Sequence, residues 1–151
     1  ATARAGRGLL LGVGDAGAQR ALADAYLAAL RPDASPRIGA FRGAFPGAGR
    51  DERAAALWPD VARFISDPAV KERVAENPHA VLEALVVHYG TPGDIVASVQ
   101  ADPSFDVATD YVFAVQSAST SIPEAIRILE VIAADIRPAL AAQPATNGVL
   151  T

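Results

Sequence analysis

Few side chains of this 151-residue chain stand where they could do chemistry, and their types limit what that chemistry is. Arg42 lies in the middle of the stretch Arg37 to Phe45, flanked by small residues. A guanidinium in such a place needs a partner, either a ligand or a structural counter-ion. Gln116 closes a second apolar stretch, Tyr111 to Val115. Its amide could hydrogen-bond a ligand or cap the following turn. Ser117, Ser119, Thr120 and Ser121 come next, ahead of a helix start where an anion could sit, although Ser121 is already used as the N-cap. His79 and His88 are nine residues apart, which is not the i, i+4 spacing of a helical metal pair. A charged His88 near a helix C-terminus is accounted for by the helix dipole. Gly12-Val13-Gly14-Asp15-Ala16-Gly17 has the G-x-G-x-x-G spacing that brings a dinucleotide pyrophosphate to a helix N-terminus. The acidic partner expected about 20 residues further on could only be Asp33, which sits in a proline-rich loop and not at the end of a second strand. No carboxylate pair stands out as an acid/base dyad. Trp58 and Phe64 read as core or interface residues.

The elements that must position these groups follow from periodicity and punctuation. Ala1 to Gly6 reads as the end of a helix, with Gly6 as its stop. Gly8 to Val13 is a short apolar run bounded by glycine, as in a strand buried on both faces of a parallel sheet. Asp15 to Leu30 is predicted to be a helix, with Leu22, Tyr26 and Leu30 toward the core and Gln19, Arg20 and Asp24 toward solvent. Arg37 to Phe45 alternates as a second strand, placing Ile38, Ala40, Arg42 and Ala44 on one face and Gly39, Phe41, Gly43 and Phe45 on the other. Asp51 to Trp58 is helical, broken or kinked at Pro59. Asp67-Pro68, Asn77-Pro78 and Thr91-Pro92 each pair an N-cap with proline in the first turn. The helix from Pro78 should run to about His88, and the one from Pro92 to about Ala101. Thr109 to Gln116 is the third strand. Ser121-Ile122-Pro123-Glu124 is a capping box opening the last helix. That helix carries Ile122, Ile126, Leu129, Ala133, Ile136 and Leu140 as its core stripe. Residues 143–151 read as a polar tail.

Composition excludes several classes. There is no Cys, so no disulfide framework, thiolate metal site or Cys nucleophile is possible. The formal charge of −4 argues against a nucleic-acid partner. Of 13 basic residues, Lys71 alone is not Arg, a bias that fits GC-rich coding better than an Arg-dependent function. No apolar run reaches the roughly 18 residues of a membrane span, and the leucines after Arg4 and Arg7 are too few for a signal peptide. A cytoplasmic protein is therefore the expectation. The chain also lacks Met. Residue 1 is thus expected to be a trimmed, processed or truncated start.

The C-terminal half carries a resemblance. Gly90-Thr91-Pro92-Gly93-Asp94-Ile95 is followed by the strand Asp110 to Gln116. Then come Pro123-Glu124-Ala125-Ile126-Arg127-Ile128-Leu129-Glu130 and Asp135-Ile136-Arg137-Pro138-Ala139-Leu140. This series resembles the end of bacterial luciferase-like flavin-dependent oxidoreductases. In that family a G-T-P-acid helix start precedes the last barrel strand, and the final helix ends in a similar acid-x-x-Pro-x-Leu pattern. Ala3-Arg4-Ala5-Gly6 into Gly8 to Leu11 resembles the approach to the sixth strand. Arg37 to Phe45 and the helix at Asp51 resemble the seventh strand and its helix. The similarity spans about residues 1–141.

The resemblance implies an α/β fold that is the C-terminal part of a TIM (β/α)8 barrel, about strands six to eight with their helices. The barrel segment would be residues 1–142. It implies a flavin, FMN or the deazaflavin F420, at the C-terminal ends of the strands, with Arg42 and Gln116 as its contacts from this chain. A full barrel needs about 250 residues. The family's flavin-phosphate loop and usual catalytic His lie in earlier segments. Flavin binding, and monooxygenase or F420-type dehydrogenase activity on a small-molecule substrate, are therefore expected only once an N-terminal barrel part is added. The alternatives are a non-catalytic half-barrel that pairs with a second copy of itself or acts as an interaction module, and a small dinucleotide-binding domain built on Gly12 to Gly17.

Overall fold

Polar caps and prolines decide where the helices of this chain begin. In a computed structural model, which describes residues 3–142, each predicted start is realised. The Asp15 carboxylate accepts from the Ala18 N–H and opens α1 (Ala16–Ala28). Asn77 caps α4 (Pro78–Ala84), and Ser121 caps α6 (Ile122–Val131). Thr91 and Asp94 form a reciprocal capping box at α5 (Pro92–Ala101). Proline in the first turn costs nothing there, because its missing N–H would have no intrahelical partner. The tail at residues 143–151 lies outside the described residues.

The strands are β1 (Leu9–Leu11), β2 (Ile38–Pro46), β3 (His88–Gly90) and β4 (Asp110–Ala114), all paired parallel. β1 and β4 both pair with Gly39 and Ala40, so β2 lies between them. β3 adds only to the last turn of β2, from Ala44 to Pro46. The molecule is thus mixed α/β with a parallel sheet. The strands β1, β2 and β4 follow chain order across it.

Alternation along β2 splits the sheet into two faces. Ile38, Ala40, Arg42 and Ala44 are all buried on one face. There α1 packs Ala23 and Tyr26 against Leu11 and Ile38, while α5 brings Ile95 and Val99 toward Tyr111 and Phe113. At the C-terminal end of β2, Phe45 packs with Ala54 and Leu57 of α2 (Arg50–Val61), Leu82 of α4 and Tyr89. Further back on the Phe41 face, Leu10, Phe41 and Val112 remain 69%, 42% and 43% exposed.

Several expectations are corrected. β1 is buried on one face only, since Leu10 is open. In α1 the buried positions are Gln19, Ala23 and Tyr26, while Leu22 is exposed. Small Ala23 lets the helix approach the sheet, which turns Leu22 away. Pro59 does not break α2, which runs on to Val61 and then tightens into a 3-10 turn at Ala62–Phe64. The helix from Pro78 stops at Ala84, and Val86 at φ 53 redirects the chain into β3, an unforeseen strand. The last helix buries only the far end of its predicted stripe: Ile136 is buried and Leu140 packs beside it, while Ile122, Ile126 and Leu129 are exposed and Ile128, off the stripe, is buried. A π-helical turn at Ile132–Ile136 changes the helical phase before α7 (Arg137–Ala141).

Candidate functional site

The C-terminal ends of parallel strands are where open backbone and loops converge, and a sizeable cavity lies there. Its volume is about 560 Å³. Phe41, Gly43, Phe45 and Ala114 contribute from one sheet face, Leu57 and Val61 from α2, and Leu82 and Leu85 from α4 and its end. The lining is mainly apolar. Its polar groups are Gln116 and Ser117 from the β4–α6 loop and Asp60 and Arg63 from the end of α2. Gln116 therefore stands at the cavity.

Asp60 is 5% exposed and fully engaged. One carboxylate oxygen accepts from the Ser119 N–H at 2.9 Å and the Ser119 hydroxyl at 2.6 Å; the other accepts from the Arg63 guanidinium. Burial disfavours the charge, but hydrogen bonds from Ser117, Ser119 and Arg63 outweigh it and hold the carboxyl well below the usual carboxylate range. Ser117 is further tied to Thr120, whose hydroxyl accepts from the Ser117 N–H at 3.0 Å. The serines that looked free to bind an anion are thus committed to Asp60 and to their own turn.

Arg42 lies on the opposite side of the sheet, away from the cavity. It is 1% exposed, and its Nε donates to Asp102 at 2.7 Å. The remaining nitrogens donate to the carbonyls of Gly12 and Phe41 and to the Ser104 hydroxyl. Tyr111 also donates to Asp102, at 2.8 Å. His88 completes the chain, with Nε2 2.7 Å from the Tyr111 hydroxyl and Nδ1 2.8 Å from Ser98. Tyr111 gives its one proton to Asp102, so His88 donates through Nε2. Burial lowers the His88 pKa to about 4 against the pull of Asp102, which makes the imidazole neutral and leaves Nδ1 to accept from Ser98. Burial raises the Tyr111 phenol, helped by the Asp102 charge. Burial also penalises the Asp102 carboxylate, but Arg42, the Ser104 N–H and Tyr111 lower its pKa overall. This network fastens β2, β3 and β4 to α5; it presents no reactive group to a ligand.

The other candidates separate. His79 stacks on Tyr89 and faces Asp51, apart from the His88 network. Among the described residues no group of three or more His, Cys, Asp and Glu is placed to hold a metal. In the glycine-rich turn, the Asp15 carboxylate occupies the helix N-terminus that a pyrophosphate would need. Asp33 pairs with Arg31 on the surface.

Asp60 and the Asp102–Tyr111–His88 chain escaped sequence reasoning. A signal existed for Asp60: a carboxylate in the last turn of a helix opposes the helix dipole, so it needs a tertiary partner. For Asp102 the signal was Asp-Pro-Ser, where the carboxylate turns back to accept from the Ser104 N–H at 2.9 Å.

Against the apolar walls of the cavity, the Gln116 amide offers both a donor and an acceptor. A phosphate has no place here, because Arg63 is committed to Asp60, itself an anion. No protein-family model matches the chain, and no curated protein matches it. No helix among the described residues is long and apolar enough to cross a membrane.

Proposed function

We propose that this chain is the C-terminal part of a luciferase-like (β/α)8 barrel, acting as a flavin-dependent oxidoreductase once an N-terminal barrel part completes it. The cavity at the ends of β2 and β4 carries the reading, because barrel enzymes keep their sites at that face. Two further features support it. The strands β1, β2 and β4 stand side by side in chain order, as neighbouring strands of a barrel do. The open patch of Leu10, Phe41 and Val112 is the kind of face that parallel sheets keep covered. A bound FMN or F420 would supply the redox chemistry, as monooxygenase or dehydrogenase. This chain's part is to bind and orient. Phe41, Phe45 and Ala114 form an apolar wall that excludes water, and Gln116 hydrogen-bonds the ring edge. Arg42 falls to a structural role behind the wall. The substrate is a small molecule, and the setting cytoplasmic.

The test is to purify the chain from its source, identify by mass what accompanies it, and titrate FMN and F420 while following cofactor fluorescence. A complex with an N-terminal barrel part should bind one of them, and Gln116→Ala should weaken that binding about ten-fold, the value of one buried hydrogen bond. A completed barrel that binds neither defeats the reading.

A second reading rests on the same open face. A non-catalytic half-barrel could cover Leu10, Phe41 and Val112 with a second copy of itself. Sedimentation distinguishes the two, since a homodimer with no other partner favours the half-barrel.

A further inference from the structure

We infer that Asp60 is the positioning residue of the cavity rim: it ties the β4–α6 loop to α2 and thereby fixes where Gln116 stands. Its importance for a ligand rests on the cavity reading above, but the tie itself does not. The loop leaves β4 at Ala114 and enters α6 at Ile122. Between them, Val115 packs against the core around Phe45, and beyond Gln116 the side-chain tie to another element runs from Ser119 to Asp60. Ser117 is the residue next to Gln116. Its N–H and hydroxyl are held by Thr120 at 3.0 and 2.7 Å, so the turn moves as one unit with Ser119. A unit anchored at Ser119 cannot swing without breaking charge-assisted bonds, which are about twice as strong as neutral ones.

Asp60 is well built for this task. It lies near the end of α2, a helix seated on the core through Ala54 and Leu57. The anchor therefore moves with the rigid part of the molecule. Arg63 pairs with the carboxylate oxygen that Ser119 does not use. That pairing orients the carboxylate toward the loop. Gln116 itself is exposed, and among the described residues no neighbour hydrogen-bonds its side chain. Its placement over the cavity comes from the chain on either side: Val115 packed on the core before it and the Asp60-held turn after it. Without the tie, the ring-edge hydrogen bond would have to order a loop as well as form, and ordering flexible groups costs affinity.

The experiment compares the chain with Asp60→Asn and Ser119→Ala. Asparagine keeps the shape but loses the charge and the pair with Arg63. Ser119→Ala removes one surface hydroxyl and leaves the core untouched. Amide exchange at Ser117 to Thr120 should accelerate about ten-fold in Asp60→Asn and about three-fold in Ser119→Ala, following the loss of one or two hydrogen bonds. Exchange in α1 and α5 should be unchanged in Ser119→Ala, and the Gln116 side-chain amide signals should broaden in both variants. A merely structural Asp60 would instead lower protection throughout. If Asp60→Asn does not fold, Ser119→Ala decides. Loop exchange and Gln116 signals within two-fold of the parent chain in every folded variant overturn the proposal. In the completed barrel, FMN affinity should fall about five-fold in either variant. A completed barrel that binds no flavin overturns the cofactor reading and leaves the exchange result to decide the tie.

Discussion

His88 makes the stability of this protein depend on acid. It is buried, neutral and donating to Tyr111, and its pKa of about 4 lies below the 6.5 of a free imidazole. A depressed folded-state pKa means that the unfolded chain binds the proton more readily. The stabilisation is complete above pH 6.5 and is lost as pH falls toward 4, on the order of 3 kcal/mol for this group. Asp102, also depressed, acts in the same direction at lower pH. Urea melts at pH 7 and pH 5 should therefore show a marked loss at pH 5. His88→Gln, which can hydrogen-bond without titrating there, should flatten that dependence. An unchanged pH profile in His88→Gln would assign the acid sensitivity elsewhere. Arg42 belongs to the same network. It was legible as a buried guanidinium in need of a partner, but which face it takes depends on which face the helices cover, and alternation alone is symmetric.

At the scale of elements, local signals were read well and tertiary ones poorly. Asp15, Asn77, Thr91 and Ser121 each cap the helix they announce, because a cap is decided by a few adjacent residues. β3 was missed because its three residues follow the apolar Val86-Val87 at the end of a helix, and three residues carry no period. The exposed Ile122, Ile126 and Leu129 show the reverse error: a true apolar stripe that nothing among the described residues covers. Of the cavity, Gln116 was legible from its place at a strand end. The loop tie of Asp60 was not, since Ser119 lies 59 residues away. Gly90 gives an element-scale prediction. Its φ is +114, and a Cβ there would lie 2.7 Å from the Asp94 carboxylate and 2.8 Å from Arg50. Gly90→Ala should destabilise by about 2 kcal/mol through backbone strain and collision, read as a lowered Tm. A Tm within a degree of the parent would show that β3 and the start of α5 relax freely.

For the whole molecule, the open patch on the Phe41 face is the feature to test. Replacing Phe41 and Val112 with serine should weaken association with whatever covers that face by about 3 kcal/mol, roughly a hundred-fold. Sedimentation velocity reads this directly, and far-UV circular dichroism should stay unchanged. Equal association in the double variant would mean that the patch stays bare. The polar pairing of Arg42, Asp102, Tyr111 and His88 is confined to the other side of the sheet, whereas Leu10, Phe41 and Val112 offer burial alone. Burial has no angular demand, so this sheet discriminates little among complementary apolar covers. The sheet is in that sense permissive: its specific recognition is turned toward its own helices, so unrelated partners that offer a complementary apolar surface should cover the Phe41 face equally well.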